Sequence, residues 1–284
     1  PVIADHDGLK AVELFDALAE GRIKALWVMG TNPAVSLPKA DAVRDALENC
    51  DFLVVSDVMA ETDTAQLADL LLPAAAWGEK DGTVTNSERC ISRQRGFLPL
   101  PGQVRPDWWI VSEVARRMGF GAAFDYASPA DIFREHAALS AVAAGLGRDF
   151  DLSGLSDLSD SAYDRLKPGT WPRPGAGDGT VRFFADGGFF TGDGRARLLP
   201  PPAPSSLPDT PGLTLNSGRI RDHWHTLTRT GLSARLWAHM AEPFVAVNPR
   251  DARALQLEEA GLAELVQTDG RRARLRVLVT EAQP

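Results

Sequence analysis

Between Gly8 and Glu20 the apolar residues Leu9, Val12, Leu14, Phe15, Leu18 and Ala19 recur near the helical period of about 3.6 residues, which predicts an amphipathic helix. Ala25 to Met29 is a short unbroken apolar run closed by Gly30, the pattern of a buried strand ending in a turn. Pro38 suits the first position of a second helix, with Ala42, Val43, Ala46 and Leu47 as its inner face. Phe52 to Val55 then reads as a second buried strand and Asp69 to Leu72 as a third. Strands joined through helices pair in parallel, so Pro1 to about Leu72 is expected to form part of a doubly wound α/β sheet. Ligands of such sheets bind beyond the carboxyl ends of the strands, here Gly30-Thr31-Asn32-Pro33 and Ser56-Asp57.

Pro106 to Met118 and Ser128 to Leu139 are also expected to be helical, the second with Ser128 as N-cap, Pro129 in the first turn and Asp131 close behind. The α/β module is taken to close at 145. Pro168 to Pro211 holds nine prolines and eight glycines and predicts a linker, with two short β-like runs, Val181 to Phe184 and Arg195 to Leu199, forming a hairpin. Beyond it, Leu213 to Leu215, Phe244 to Val247, Leu262 to Gln267 and Ala273 to Val279 read as strands, and Pro249 to Leu255 as a short helix. The expected organisation is therefore a module at 1–145, a linker at 146–208 and a small β module at 209–284.

A length of 284 residues fits two ordinary cores, and 44% hydrophobic with 24% charged residues excludes disorder, collagen and coiled coil for the whole chain. The apolar stretch Leu70 to Trp77 contains Pro73 and is far shorter than the ~20 residues of a membrane span, so no membrane segment is expected. A net charge of -8 argues against a general nucleic-acid binder. The balance is local: from Asp209 onward ten Arg face nine acids, leaving +1 there and -9 in the first 208 residues. Cys50 and Cys90 form neither a disulfide framework nor a metal pair, which fits a reducing compartment. The chain begins at Pro1 without a Met or signal-like run, so it is read as a piece of a longer protein.

The common nucleotide signatures are absent: there is no Walker loop, and Gly119-Phe120-Gly121 follows a helix, with Phe124 where a small residue should stand. Gly175-Ala176-Gly177-Asp178-Gly179 lies in the Pro-rich stretch and reads as a flexible turn. At Gly30-Thr31-Asn32-Pro33 a strand ending in Gly lets backbone approach a ligand, with Thr31 and Asn32 offering donors and acceptors; the same four residues also suit an ordinary β-turn. Asp57 stands where such folds set a carboxylate against a ribose or base. Glu61-Thr62-Asp63-Thr64 can equally cap a following helix through Thr62 or Thr64. The densest chemistry is Ser217 to Thr230. Three of five His and four Arg fall between Arg219 and His239 with only Asp222 against them, which makes an anion site by composition. A solvated basic loop is the competing reading, and His223-x-His225 lacks a third metal ligand at a usual spacing.

At these residues the sequence meets a known family. Trp27-Val28-Met29-Gly30-Thr31-Asn32-Pro33-Ala34-Val35-Ser36-Leu37-Pro38 closely resembles the assimilatory nitrate reductase catalytic subunits, within the dimethyl sulfoxide reductase family of molybdopterin oxidoreductases. So do Glu61 to Thr64 with Ala68-Asp69 and Leu72-Pro73, Trp77 to Arg89, Phe133 to Ser140, and Ser217 to Thr230, in the same order. The resemblance implies the C-terminal portion of a larger enzyme: the α/β module, the Pro/Gly-rich linker and a small C-terminal β-barrel of the molybdopterin dinucleotide-binding type, truncated at both ends. It implies a Mo-bis(molybdopterin guanine dinucleotide) cofactor that reduces nitrate to nitrite by oxygen-atom transfer, and a [4Fe-4S] cluster carried by a preceding N-terminal part.

By the same resemblance, the dinucleotide is held by Gly30, Thr31, Asn32, Pro33, Ser56, Asp57, Thr62 and Asp63 and by Ser217, Gly218, Arg219, His223, Trp224, His225 and Thr226, with no catalytic residue or metal ligand in this chain. Ser217 stands where Thr is common and His223 where Gln is common; both keep hydrogen-bonding capacity. The implied partners are nitrate and an electron donor (a ferredoxin, a flavodoxin or an NADH-dependent reductase), with no nucleic acid and no membrane, and the implied location is cytoplasmic. Two other readings stay open: a formate dehydrogenase or periplasmic nitrate reductase of the same family, and a binding module that kept the fold without the cofactor.

Overall fold

A computed structural model describes residues 4–175, 182–203 and 212–283. The chain divides into two compact units, Pro1–Thr210 and Pro211–Pro284. In the first, helix α1 (Ala11–Ala19) leads to strand β1 (Ala25–Met29), the short helix α2 (Pro33–Ser36), helix α3 (Ala40–Glu48), and strands β2 (Phe52–Asp57) and β3 (Leu70–Pro73). The strands pair in parallel in the order β1-β2-β3, with Val28 opposite Val55 and Val55 opposite Leu71. That register puts Leu26, Val28, Leu53, Val55 and Leu71 on one face, where they pack with Leu18, Val43, Ala46 and Leu47 of α1 and α3. Leu53 and Val55 are fully buried, as expected of a central parallel strand with an unbroken apolar run.

The start of α3 differs from the expectation. Leu37 takes the extended conformation that a following proline imposes, and Lys39 is left-handed at φ 56°, so the helix begins at Ala40 and Pro38 lies outside it. Val43, Ala46 and Leu47 form the inner face, whereas Ala42 is exposed.

The rest of this unit holds antiparallel strands β4 (Gly82–Thr85) and β5 (Cys90–Gln94), helices α4 (Asp107–Ala115), α5 (Pro129–Gly145) and α6 (Asp160–Asp164), and the two-residue strand β6 (Gly169–Thr170), in sheet order β4-β5-β6. A turn of π-helix, Arg116–Phe120, extends α4. α5 starts where Ser128, Pro129 and Asp131 predicted: the Asp131 carboxylate accepts the backbone N–H of Ser128 at 2.9 Å and of Ala127 at 3.0 Å. It runs to Gly145, past the expected Leu139, on an alanine-rich turn.

Residues just beyond 145 are not a linker. Leu152, Leu155 and Tyr163 are buried in one cluster with Ile91, Phe133 and Ala137, and Phe150 and Trp171 pack against it. The expected hairpin is also absent among the described residues, because Arg195 to Leu199 has no regular structure and Leu198 and Leu199 are exposed. Val181 and residues 176–179 of the glycine-rich stretch lie outside the described residues.

The second unit contains the short helix α7 (Ala234–Trp237), β7 (Phe244–Val247), α8 (Pro249–Ala254), β8 (Leu262–Val266) and β9 (Arg272–Val279). Asn248 caps α8 by accepting the N–H of Arg250 at 2.8 Å, with Pro249 in its first turn. β9 lies between β7, parallel, and β8, antiparallel. This is an open three-stranded sheet; among the described residues no closed barrel forms, and Leu213 to Leu215 is exposed chain without strand pairing. Three strands have too few hydrogen-bonding edges to close on themselves. No described helix is long and apolar enough to cross a membrane.

Candidate functional site

The carboxyl edge of the parallel sheet gathers Gly30, Thr31, Asn32, Ser56, Asp57, Thr62 and Asp63. Gly30 ends β1 at φ 61° while its N–H bonds the carbonyl of Ser56 at 2.8 Å; a side chain there would be strained, and the turn leaves the backbone open to an incoming ligand. Ser56 is fully buried, and its hydroxyl accepts the indole N–H of Trp27 at 2.8 Å. Half-buried Asp57 accepts the N–H of Met59 through Oδ1 at 3.1 Å, and its Oδ2 has no hydrogen-bond partner among the described residues.

Four of the candidates, Ser56 among them, are spent inside the protein. Asn32 is 6% exposed; its Oδ1 accepts the N–H and hydroxyl of Thr64 at 3.1 and 2.7 Å, and its amide donates to Asp63 Oδ2 at 3.3 Å. Thr62 is buried and accepts the N–H of Ala65 at 3.0 Å, the cap that its spacing allowed. Pro33 is buried at the start of α2. The groups that reach the surface here are the Gly30 backbone, Thr31, Asp57 and Asp63. Thr64, which the sequence offered only as a cap, is the hub that joins the two loops; among its polar neighbours Glu61, Thr62, Asp63 and Gln66 nothing local singled it out.

In the second unit Ser217, Gly218 and Arg219 are exposed, and Arg219 makes no hydrogen bond or ion pair among the described residues. The following segment is more internally paired than its composition implied. Asp222 is held by Arg221 at 3.1 Å and by His239 at 2.8 Å, and these two contacts, Arg221 first, hold its carboxyl below the ordinary range. His223 packs on Trp237 with ring centroids 4.5 Å apart, and its Nδ1 meets Thr230 Oγ1 at 3.3 Å. Its Nε2 is buried without a partner among the described residues, a polar atom that a ligand would satisfy. Trp224 and His225 are exposed edge to face at 4.3 Å, His225 at φ 47°, and Thr226 is half-buried. Among the described residues no group of three or more His, Cys, Asp or Glu could hold a metal ion. A cleft of about 230 Å³ lined by Asp81, Trp108, Phe133, His136 and Tyr163 includes none of the candidate residues.

The two surfaces have complementary chemistry. The sheet edge offers carboxylates and open backbone, suited to the donor-rich edge of a base or to ribose hydroxyls. The second unit offers a guanidinium and an imidazole nitrogen without partners among the described residues, together with exposed small residues, suited to anionic or carbonyl oxygens. Both sets of residues fit parts of a guanine dinucleotide.

Comparison with known proteins finds a family model on each unit. Residues 2–117 match the molybdopterin oxidoreductase model, and residues 213–284 match the molydopterin dinucleotide binding domain. A nitrate reductase of Shewanella frigidimarina is 51% identical over 272 residues, covering 93% of this chain and 29% of that protein. The F420-dependent formate dehydrogenase subunit alpha of Methanocaldococcus jannaschii is 35% identical over 270 residues, covering 93% of this chain and 38% of that protein. Among solved structures, acetylene hydratase from Pelobacter acetylenicus aligns with a TM-score of 0.63 at 19% identity, covering 96% of this chain and 38% of that one, a likeness of fold. The chain spans about three tenths of the length of the nitrate reductases it matches. With a cofactor-domain match on each side of the Pro-rich segment and half of its residues shared with a nitrate reductase, the chain belongs to the molybdopterin oxidoreductase family.

Proposed function

We propose that this chain is the cofactor-holding C-terminal portion of a nitrate reductase that converts nitrate to nitrite by oxygen-atom transfer at a Mo-bis(molybdopterin guanine dinucleotide) centre. The binding role rests on one observation above the others: at the carboxyl edge of a parallel sheet, a left-handed Gly30 adjoins an Asp57 carboxylate with one oxygen fixed by the Met59 N–H and the other without a hydrogen-bond partner among the described residues. A carboxylate oxygen so held accepts hydrogen bonds from the N–H edge of guanine or from a ribose hydroxyl without further ordering. Thr31 and Asp63 flank it, while Asn32, Pro33, Ser56 and Thr62 build the frame beneath. In the second unit Arg219 presents its planar fork to pyrophosphate or pterin oxygens, Gly218 admits backbone, and His223 and His225 supply single hydrogen bonds, with Ser217, Trp224 and Thr226 alongside.

When bound, the cofactor supplies the two-electron redox chemistry; the chain's own residues bind it, orient it and tune its surroundings. Nitrate as substrate is supported by the 51% identity to a nitrate reductase. The reading places the [4Fe-4S] cluster on another part of the full-length protein, with electrons delivered in the cytoplasm by a ferredoxin, a flavodoxin or an NADH-dependent reductase in the service of nitrate assimilation.

The test is the purified full-length enzyme: viologen-linked nitrite production together with stoichiometric molybdenum and guanine nucleotide is expected, and the 284-residue chain alone is expected to reduce no nitrate. The second reading, favoured by the 35% identity to a formate dehydrogenase subunit, is a formate oxidoreductase. Formate oxidation without nitrite formation would select it. Absence of both metal and nucleotide would select a cofactor-free binding module.

A further inference from the structure

We propose that Asn32 and Thr64 are positioning residues that lock the acidic loop 57–64 against the end of β1, and that Asn32 acts on the dinucleotide through Asp63 rather than by touching it. The inference rests on the reading that this sheet edge binds the cofactor.

The hydrogen bonds run in one direction without a competing assignment. The N–H of Ala34, at the start of α2, donates to Thr64 Oγ1 at 3.2 Å; that hydroxyl donates to Asn32 Oδ1 at 2.7 Å, and the Thr64 N–H donates to the same oxygen at 3.1 Å. Since backbone N–H can only donate, Asn32 must present its oxygen to Thr64, which turns its NH2 toward Asp63 Oδ2 at 3.3 Å. Thr64 is fully buried and Asn32 nearly so, whereas Asp63 is exposed. The bracket therefore transmits a fixed orientation from the core to a surface carboxylate. Buried, fully satisfied polar networks of this kind fix geometry, and leaving one member unpaired costs more than the bond itself gains.

Loss of guanine nucleotide from the full-length holoenzyme, followed by size exclusion over time, separates the outcomes. Thr64→Val keeps the shape but removes the hydroxyl that both donates and accepts, and is expected to speed nucleotide loss about tenfold, while Thr64→Ser stays close to wild type. Asn32→Asp keeps the acceptor for Thr64 but sets a carboxylate against Asp63, with a similar acceleration. Asp63→Asn alone removes the carboxylate through which Asn32 acts and is expected to speed loss, and adding Asn32→Asp to it is expected to speed loss no further, a non-additivity that a merely structural role for Asn32 does not provide. Asp57→Ala tests the underlying reading. If Asp57→Ala speeds loss but Asn32→Asp does not, or if Asn32→Asp still adds its full effect in the Asp63→Asn background, the positioning role is wrong. If Asp57→Ala leaves nucleotide retention unchanged, the binding site itself is misassigned. Should Thr64→Val fail to fold, the Asn32 and Asp63 pair still decides.

Discussion

Arg93 is a charged side chain at a position that an alternating strand would give to a hydrophobe, and replacing it measures how strongly the β4-β5 hairpin is tied to α6. Its side chain is 2% exposed. One face of the guanidinium lies 4.1 Å from the Tyr163 ring centroid, and its N–H groups reach the Asp81 carboxylate through two bonds, Asp164 at 3.2 Å, and the carbonyls of Gly82 and of Gln94, the last at 2.9 Å. Arg93→Met keeps the apolar stem and removes every one of these contacts. Asp81 and Asp164 are 45% and 70% exposed, so they regain water and the full 3 to 5 kcal/mol penalty of an orphaned buried charge does not apply. The carbonyls do not regain water as freely, and their lost donors together with the ring contact cost about 2 to 4 kcal/mol. In a unit of this size that is a melting point lower by roughly 4 to 16 °C. Thermal and urea unfolding of the chain give the number; Arg93→Lys, which keeps charge but loses the fork, should fall between wild type and Met. A loss below about 1 kcal/mol for Arg93→Met would mean the network contributes no more than a surface ion pair and the reasoning fails.

Leu53→Ala, at the fully buried centre of β2, should destabilise by about 2 to 5 kcal/mol in the same assay, while Phe52→Ala, 45% exposed one residue earlier, should cost far less. In the full-length enzyme Arg219→Ala should lower retained cofactor and nitrate turnover together by about tenfold, and His239→Ala, whose partner Asp222 keeps Arg221, should leave both near wild type; equal small effects would return the segment to a solvated basic loop. Tyr126 donates to Glu135 at 2.7 Å, which with burial pushes its phenol up to about 12, and burial also raises Tyr163, the second of two tyrosines. Because the folded value lies above the unfolded one, the associated stability is complete below the ordinary tyrosine range and is lost as pH climbs through about 12. Phenolate absorbance of the folded chain at pH ~10 should therefore stay below the half-titrated level of two ordinary tyrosines, and a half-titrated signal there would refute the assignment.

The sequence by itself determined the parallel sheet, because its strands are continuous apolar runs whose inner face must be covered: Ala25–Met29 emerged with the expected bounds, and the end of β1 at Gly30 and the capping of α5 by Ser128, Pro129 and Asp131 followed from local backbone chemistry. The β4-β5-β6 sheet was not legible, since Thr83, Thr85, Ser92 and Arg93 carry no apolar alternation; Arg93 becomes a core residue only when Asp81 and Asp164, up to 71 positions away, neutralise it. The membership of residues 150–171 in that core has the same origin, as Leu152 and Tyr163 are buried by partners distant in sequence. At the candidate site, residue types singled out the loops, but which side chains are buried frame and which reach the surface was a matter of tertiary structure. Asn32 and Thr31 are equally polar neighbours, and only the approach of Thr64 from the other loop turns one into frame and leaves the other at the surface. The same holds for Asp222, whose charge the sequence set against four arginines, while the fold spends it on Arg221 and His239 and leaves Arg219 without an ion pair among the described residues. Periodicity and backbone preference act over a few residues and survive in the sequence; pairing of polar side chains depends on contacts that exist only after the chain has folded.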